Sequence, residues 1–399
     1  MAHLTNLDEL KQHITLLANV AESEAPFISA YLNLENGQAG WREVLNERAR
    51  ILRSVLKGND LADVEEALGK IEAWLTTELL PETKGVAIFV RGTFGGGFIL
   101  PMQFAAPLPN WIAVYPTPNI YHLIELKDTY ERYLVMIATL DWVRILEVNL
   151  GAATIQAWSE HPPLRERVGR GWSKTQYQLY RPDRGGRFLQ EKIRVLEQLM
   201  HSGEHSHLIL AGDPQITARI RLALSDSLSS KLMGVIPATF QDAQADIVAT
   251  TLSIFVAQEE QESQSIAARL IQAIRTQGLA AAGAEDCLDN LQRGHGDTLV
   301  LLQEYHPDPG WLCAACKSMG MTTPETNMCP RCGVEAVHPT DLREELVRLA
   351  GKWGCPVEIV EKNDALAALG GVGCLLRYRP DLQNEKSSVS AYKKTTEEY

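Results

Sequence analysis

The chain has 399 residues, 45% of them hydrophobic, with 38 Lys and Arg against 50 Asp and Glu and a formal net charge of -12. At roughly 100–200 residues per domain this length suggests two to four domains, and an acidic whole excludes a general nucleic-acid coat. It does not exclude local nucleic-acid contacts, because a basic patch acts within about a Debye length, ~8–10 Å.

The N-terminus, MAHLTNLDELKQHITLL, reads as an amphipathic helix with acids and not as a signal peptide. No run approaches the ~18 apolar residues of a membrane helix, so a cytoplasmic location without membrane contact is the expectation. Residues 7–20 form the first helix, with Leu7, Leu10, Ile14 and Leu17 on one face. FISAYLNL (27–34) reads as a strand, and 41–56 and 60–79 as helices, the second capped by Asn59 or Asp60. VAIFVRG, FILPMQF, WIAVYP and HLIELK read as short strands. Residues 1–127 thus form an N-terminal α/β domain.

A middle α/β domain, 128–296, opens with RYLVMIATL and WVRILEVNL around a tight turn at Asp141, then ATIQAW. Helix is expected from Arg187, where Leu189, Ile193, Leu196 and Met200 share a face. HLILAGD (207–213) followed by Pro214 has the strand-turn-helix grammar of an α/β domain, and a long helix spans about 242–275. The third domain, 297–380, reads as strand (TLVLLQEY), a cysteine insertion at 311–335, helix (DLREELVRLAGKWG), strand (PVEIVE), short helix and strand (GCLLRY). Residues 381–399 are polar and are expected to be a mobile tail.

Four of the seven cysteines lie in two CxxC pairs, Cys313-Ala-Ala-Cys316 and Cys329-Pro-Arg-Cys332. Two such knuckles aim four thiolates at one ion, a tetrahedral set that suits structural Zn²⁺ and leaves no open position for catalysis. Paired disulfides and an iron–sulfur cluster are the alternatives. Gly333 suits the tight turn after the second knuckle. Cys287, Cys355 and Cys374 are scattered in apolar surroundings and read as reduced and buried.

The segment from Arg165 to Arg187 contains GRGWSKTQYQLYRPDRGGRF (169–188) and carries seven basic residues against two acids. Arg165, Arg167, Arg170, Lys174, Arg181, Arg184 and Arg187 are its cations. Arginine pairs with phosphates bidentately, and Trp172, Tyr177 and Tyr180 offer faces on which unpaired bases stack. An RNA cavity suits such a loop; the bland alternative is a mobile surface loop with solvated charges. Arg42, Arg48, Arg50 and Arg53 form a second, weaker candidate contact with rRNA phosphates. Their alternative is a solvated helix face paired with Glu43 and Glu47. RGTFGGGFIL (91–100) lacks the Gly-Lys-Ser/Thr ending of a phosphate loop and reads as a turn between strands. His201, Glu204, His205 and His207 lie close in sequence but bridge a helix end and a strand start, so no second metal is expected there.

The order of units and several strings resemble the archaeal and eukaryotic class I release factor and Pelota family, in a bacterial version. The anchors are GRGWSKTQYQLYR before a helix, HLILAGDP, DCLDNLQRGHGDTLVLLQEY and VEIVEKNDALAALGGVGCLLRYRPD. The resemblance implies a three-domain α/β architecture that mimics tRNA, with a zinc-ribbon minidomain in the C-terminal domain. It further implies a first domain in the decoding centre, a middle domain reaching the peptidyl-transferase centre, and a third that docks a translational GTPase such as elongation factor Tu. The partner is then the 70S ribosomal A site, with its 16S and 23S rRNA, and not DNA.

Two departures matter. Release factors carry Gly-Gly-Gln at the tip of the middle domain, where this chain, after Gly169 and Arg170, has Gly171-Trp172-Ser173 at the matching positions, followed by Lys174; Gln176 and Gln178 are out of register. The Asn-Ile-Lys-Ser string that reads stop codons is absent from the corresponding region, ENGQAGWREVLNERAR. The loop resembles that of Balon-type bacterial hibernation factors. The expectation is a ribosome-binding factor that is not an enzyme and occupies the A site. The competing functions are rescue or peptide release through a remodelled loop, with Gln176 or Gln178 acting on peptidyl-tRNA, and an adaptor with no ribosome role.

Overall fold

The computed structural model describes residues 3–20, 26–37, 40–93, 96–139, 142–160, 174–203, 205–239, 241–321, 324 and 327–378; for 158–160 and 174–187 the description covers the backbone alone. The chain is a mixed α/β protein of two compact units, 1–13 with 23–261 and 14–22 with 262–399. The expected tail, 381–399, lies outside the described residues.

The first unit holds two sheets. In one, β3 (Phe98–Phe104), β2 (Gly85–Arg91), β1 (Phe27–Asn33) and β4 (Trp111–Tyr115) are antiparallel neighbours in that order. β1 and β2 are buried almost throughout, so both faces need cover. One face shares a core with α2 (Trp41–Val55) and α3 (Gly58–Thr77), where Ile28, Ala30 and Leu32 meet Leu45, Ala49, Val64 and Ile71. The helix α1 (Leu7–Ala18) opens with a reciprocal cap. Asn6 Oδ1 accepts from the Asp8 and Glu9 amides, and Glu9 Oε2 accepts from the Asn6 amide.

Two sequence expectations fail in this domain. HLIELK is not a strand; it lies in the helix α4 (Tyr121–Thr129). An apolar run this short does not distinguish strand from helix. The aromatic face of β1 decides: the His122 ring lies 5.1 Å from Tyr31 and 5.3 Å from Trp111, and Tyr31 Oη donates to the Asn119 carbonyl at 2.6 Å. Likewise α3 starts before Asn59 and Asp60; Lys57 occupies the cap without a side-chain bond, and Asp60 sits in the first turn, where the helix dipole favours an acid.

The second sheet runs β7 (Ala152–Glu160), β6 (Trp142–Asn149), β5 (Tyr133–Ala138), β8 (His207–Gly212) and β9 (Leu232–Pro237). β5, β8 and β9 are parallel, while β6 and β7 continue as an antiparallel meander. Residue 141, the expected turn between β5 and β6, lies outside the described residues. Helices cover both faces of the sheet, as strands this apolar require. On one face α5 (Lys174–Ser202) and α6 (Pro214–Ala223) place Leu189, Ile193, Leu196, Met200, Ile216 and Ile220 against Leu134, Met136, Leu208 and Leu210. On the other face α8 (Gln244–Arg275) brings Phe255 into a 4.5 Å stack with Tyr133. α6 begins where Asp213 accepts from the Gln215 and Ile216 amides, with Pro214 in the first turn. The β8–α6 turn needs glycine: a Cβ on Gly212 would lie 1.9 Å from the Ala138 carbonyl oxygen. Neither β9 nor the one-turn α7 (Asp226–Ser229) was anticipated.

α5 begins thirteen residues before the expected start at Arg187. Pro182 and Gly185-Gly186 argue for a loop by propensity. The backbone nevertheless continues as helix from the buried stripe at 189–200, because extending an existing helix costs far less than nucleating one.

In the second unit, β10 (Ala280–Ala282), β16 (Val372–Leu376), β11 (Gly296–Leu302) and β15 (Val357–Val360) make one sheet, with β11 and β15 parallel. β10 pairs with β16, so this sheet begins before the boundary at 297 read from sequence. Three alanines carry no strand pattern, and pairing alone makes them one. Around the sheet lie α9 (Ala284–Gln292), α10 (Leu342–Trp353) and α11 (Asp364–Ala368). α10 is capped by Asp341 and ends at Gly354, φ +61°. Cys287, Cys355 and Cys374 are buried and free, but two of them are not scattered. A Cβ on Gly296 would lie 3.1 Å from Cys355 Sγ and 3.3 Å from Cys374 Sγ. A separate small sheet, β13 (Met319–Gly320), β12 (Gly310–Cys313) and β14 (Val337–Thr340), carries the CxxC pairs.

Candidate functional site

The four cysteines converge. Their sulfurs all lie within 4.8 Å of one another, with Cys313–Cys332 at 3.7 Å and Cys316–Cys329 at 3.5 Å. Tetrahedral ligation at ~2.3 Å per bond puts sulfurs about 3.8 Å apart. A disulfide needs ~2.05 Å, and the four cysteines are free. A multinuclear cluster needs more room than these sulfurs leave. The donor set and spacing therefore fit one tetrahedral ion.

Local backbone explains the convergence. In the first knuckle the Lys317 amide donates to the Cys313 carbonyl; in the second the Gly333 amide donates to the Cys329 carbonyl, both at 2.9 Å. The Arg331 amide points at Cys329 Sγ, 3.4 Å away. Each knuckle ends on a residue with positive φ, Lys317 at +59° and Gly333 at +70°. One residue at the centre had no signal in the sequence: the buried Ser318, whose Oγ lies 2.8 Å from Cys316 Sγ and 3.2 Å from Cys329 Sγ. That hydroxyl, against the opposing effect of burial, brings the Cys329 thiol down to about 6, a thiolate ready for a cation.

Nothing lies within 4 Å of a Cβ built on Gly333, so space does not dictate glycine there; φ does. Gly333→Ala should therefore destabilise the metal-loaded protein by about 1 kcal/mol, and Lys317→Gly should stabilise it by about 0.5–1 kcal/mol. Thermal melts of the two variants check this; equal and opposite shifts of the wrong sign would refute the backbone account.

The other predicted site residues fall elsewhere. Arg165, Arg167, Gly169, Arg170, Gly171, Trp172 and Ser173 lie outside the described residues. Lys174, Gln176, Tyr177, Gln178, Arg181, Arg184 and Arg187 are on the helical backbone of α5. The basic segment therefore joins the sheet edge strand β7 to the first turns of α5. On α2, Arg42 stacks over Trp41 at 4.3 Å, Arg48 is half-buried, and Arg50 is exposed. Arg53 bonds Glu65 of α3, a partner outside the alternative reading with Glu43 and Glu47, and draws the Glu65 carboxyl below the usual range.

His205 reaches Glu147 Oε2 at 3.0 Å and the Leu199 carbonyl at 3.2 Å, while His207 lies 3.4 Å from Glu259. His205 and His207 share no centre with each other, but the ligand atoms of His207, Glu259 and Glu262 lie within 4.8 Å of one another, a grouping that could hold an ion; residue 204 lies outside the described residues. Gly92, Gly96 and Gly97 turn the chain between β2 and β3, with the Gly97 amide on the Gly92 carbonyl at 3.1 Å. Among the described residues no helix is long and apolar enough to cross a membrane.

No curated protein matches the chain. Solved structures are similar to it over nearly its whole length. An archaeal translation termination factor is 15% identical, covering 94% of this chain and 99% of that one, with a TM-score of 0.27. Archaeal Pelota in a ribosome-bound form with ABCE1 is 14% identical over 94% and 95%, TM-score 0.41. Pelota of Archaeoglobus fulgidus is 12% identical over 95% and 94%, TM-score 0.37. Likeness at this level says nothing of function. The match that does carry weight is to the model of bacterial archaeo-eukaryotic release factor family 10, over residues 118–255. The kinship read from the sequence thus has its footing in residues 118–255, from α4 through the five-stranded sheet and into α8, with the basic segment inside the matched stretch.

Proposed function

We propose that the chain is a ribosome A-site-binding translation factor that occupies the decoding and peptidyl-transferase centres without hydrolysing peptidyl-tRNA. The observation that carries this reading is the coincidence of two facts in one stretch. The release-factor family match at 118–255 spans the basic segment, and that segment lacks Gly-Gly-Gln. A tip with seven cations suits a place built of RNA phosphates, and release chemistry needs its catalytic amide held to within about an ångström. Hibernation is the state such a factor would serve, with a translational GTPase such as elongation factor Tu as carrier. In this reading Cys313, Cys316, Cys329 and Cys332 hold a structural Zn²⁺ that organises the minidomain and takes no part in chemistry.

Two measurements test it together. The full chain should co-sediment with vacant 70S ribosomes and protect A-site nucleotides of 16S and 23S rRNA from chemical probing. In a release assay on ribosomes loaded with peptidyl-tRNA it should leave the ester intact. Peptide release at a rate above the factor-free control would overturn the non-catalytic reading and favour rescue; absence of ribosome binding would overturn both.

A further inference from the structure

A second aromatic and basic surface lies far along the chain from the loop, at the end of the third sheet. Trp353, the last residue of α10, is 46% exposed, and Tyr378, just past β16, is 53% exposed. A single exposed aromatic is ordinary; two of them anchored by neighbouring residues and flanked by cations make a patch. Both are held in place by consecutive residues after α9. A Cβ on Gly294 would lie 3.2–3.4 Å from three atoms at the centre of the Trp353 indole, so the glycine backbone lies flat against one ring face. Gly294 has φ +75°, which favours glycine a second time. The Tyr378 ring packs at 4.9 Å on His295, and the Arg377 amide donates to the His295 carbonyl at 3.0 Å. His295 Nδ1, in turn, has no hydrogen-bond partner. Trp353 is thus backed by the Gly294 backbone, Tyr378 meets His295 edge to face at 62°, and about half of each residue stays exposed.

An exposed cation adjoins each part of this platform in sequence: Arg293 before Gly294, Lys352 before Trp353, and Arg377 before Tyr378. Arg293 is tied to Asp289 at 2.9 Å, and Asp297, Glu358 and Asp381 are further acids nearby in sequence. Interleaved open rings and cations are the arrangement on which successive unpaired bases stack while the backbone phosphates meet positive charge. We infer that the Trp353–Tyr378 platform binds single-stranded RNA by stacking unpaired bases on the two rings. This site does not depend on the ribosomal reading of the 165–187 segment and stands or falls separately.

The test is fluorescence anisotropy of a labelled 12-nucleotide oligoadenylate with the full chain. Saturable binding is expected, weakened about 10-fold by Trp353→Ala and further by adding Tyr378→Ala, and retained by Trp353→Phe. A variant with Arg170, Lys174 and Arg181 changed to Glu reports the loop's share: the loss caused by Trp353→Ala should persist in that background. Because both rings are exposed, far-UV circular dichroism of the alanine variants should match the parent. The inference is overturned if the double alanine variant binds like the parent, or if duplex RNA of equal length binds as tightly. It is also overturned if the parent does not bind at all.

Discussion

Cys329→Ser is expected to empty the cysteine site. Purified parent should carry one zinc per chain by elemental analysis, and the variant close to none. Cys329 is 2% exposed and sits between Cys316 and Ser318, so serine there replaces a thiolate that the site has no other means of supplying. Structural zinc in small modules contributes roughly 10–16 kcal/mol of apparent binding free energy at neutral pH, and folding of the module is coupled to it. The core of the minidomain is little more than Trp311, Cys313 and Cys329 with Cys316, Ala336 and Val337 around them. Without the ion that core is too small to hold β12, β13 and β14 together, and proteolysis should open the chain between about 311 and 340. The main sheets have their own cores, so their unfolding transition should move far less. Retention of stoichiometric zinc by Cys329→Ser, or a parent protein free of metal, would refute the assignment.

The second large effect concerns the loop. Changing Arg170, Lys174 and Arg181 to Glu replaces three positive charges by three negative ones in a segment whose net charge is strongly positive. If these residues face rRNA phosphates, co-sedimentation with 70S or 50S particles should be lost at physiological salt. Milder substitutions to Ala should lower the slope of log affinity against log salt by about 0.7–0.9 per phosphate contact removed. The swap should leave thermal stability nearly unchanged, because the stripe that anchors α5, from Leu189 to Met200, is untouched. Ribosome binding equal to the parent's would remove the loop from the interface. Binding lost together with stability would instead place these residues in the fold.

Much of this was legible from residues alone, and for local reasons. Asp213 before Pro214 announces α6, and Asp341 announces α10, because a carboxylate at the cap satisfies amides that the helix itself leaves open. The double CxxC announces its own geometry, since two short loops can aim only at a common point. What stayed hidden depends on neighbours distant in sequence. α4 is a helix because the aromatic face of β1 requires a lid, and no property of HLIELK records that. β10 exists because β16 offers an edge to three alanines. Ser318 touches two thiols only after both knuckles have formed. The basic segment shows its charge in sequence, while α5 starts at Lys174, earlier than its proline and glycine content suggests.

The cysteine site also has an inside and an outside. Cys313 and Cys329, the first of each pair, are buried, whereas Cys316 is half-buried and Cys332 exposed. An attacking electrophile, oxidant or chelator therefore meets the four sulfurs in sequence and not at once. With zinc bound as proposed, each knuckle would have one sheltered and one more open sulfur, and loss would begin at Cys332 while Cys313 and Cys329 still tie β12 to the second knuckle.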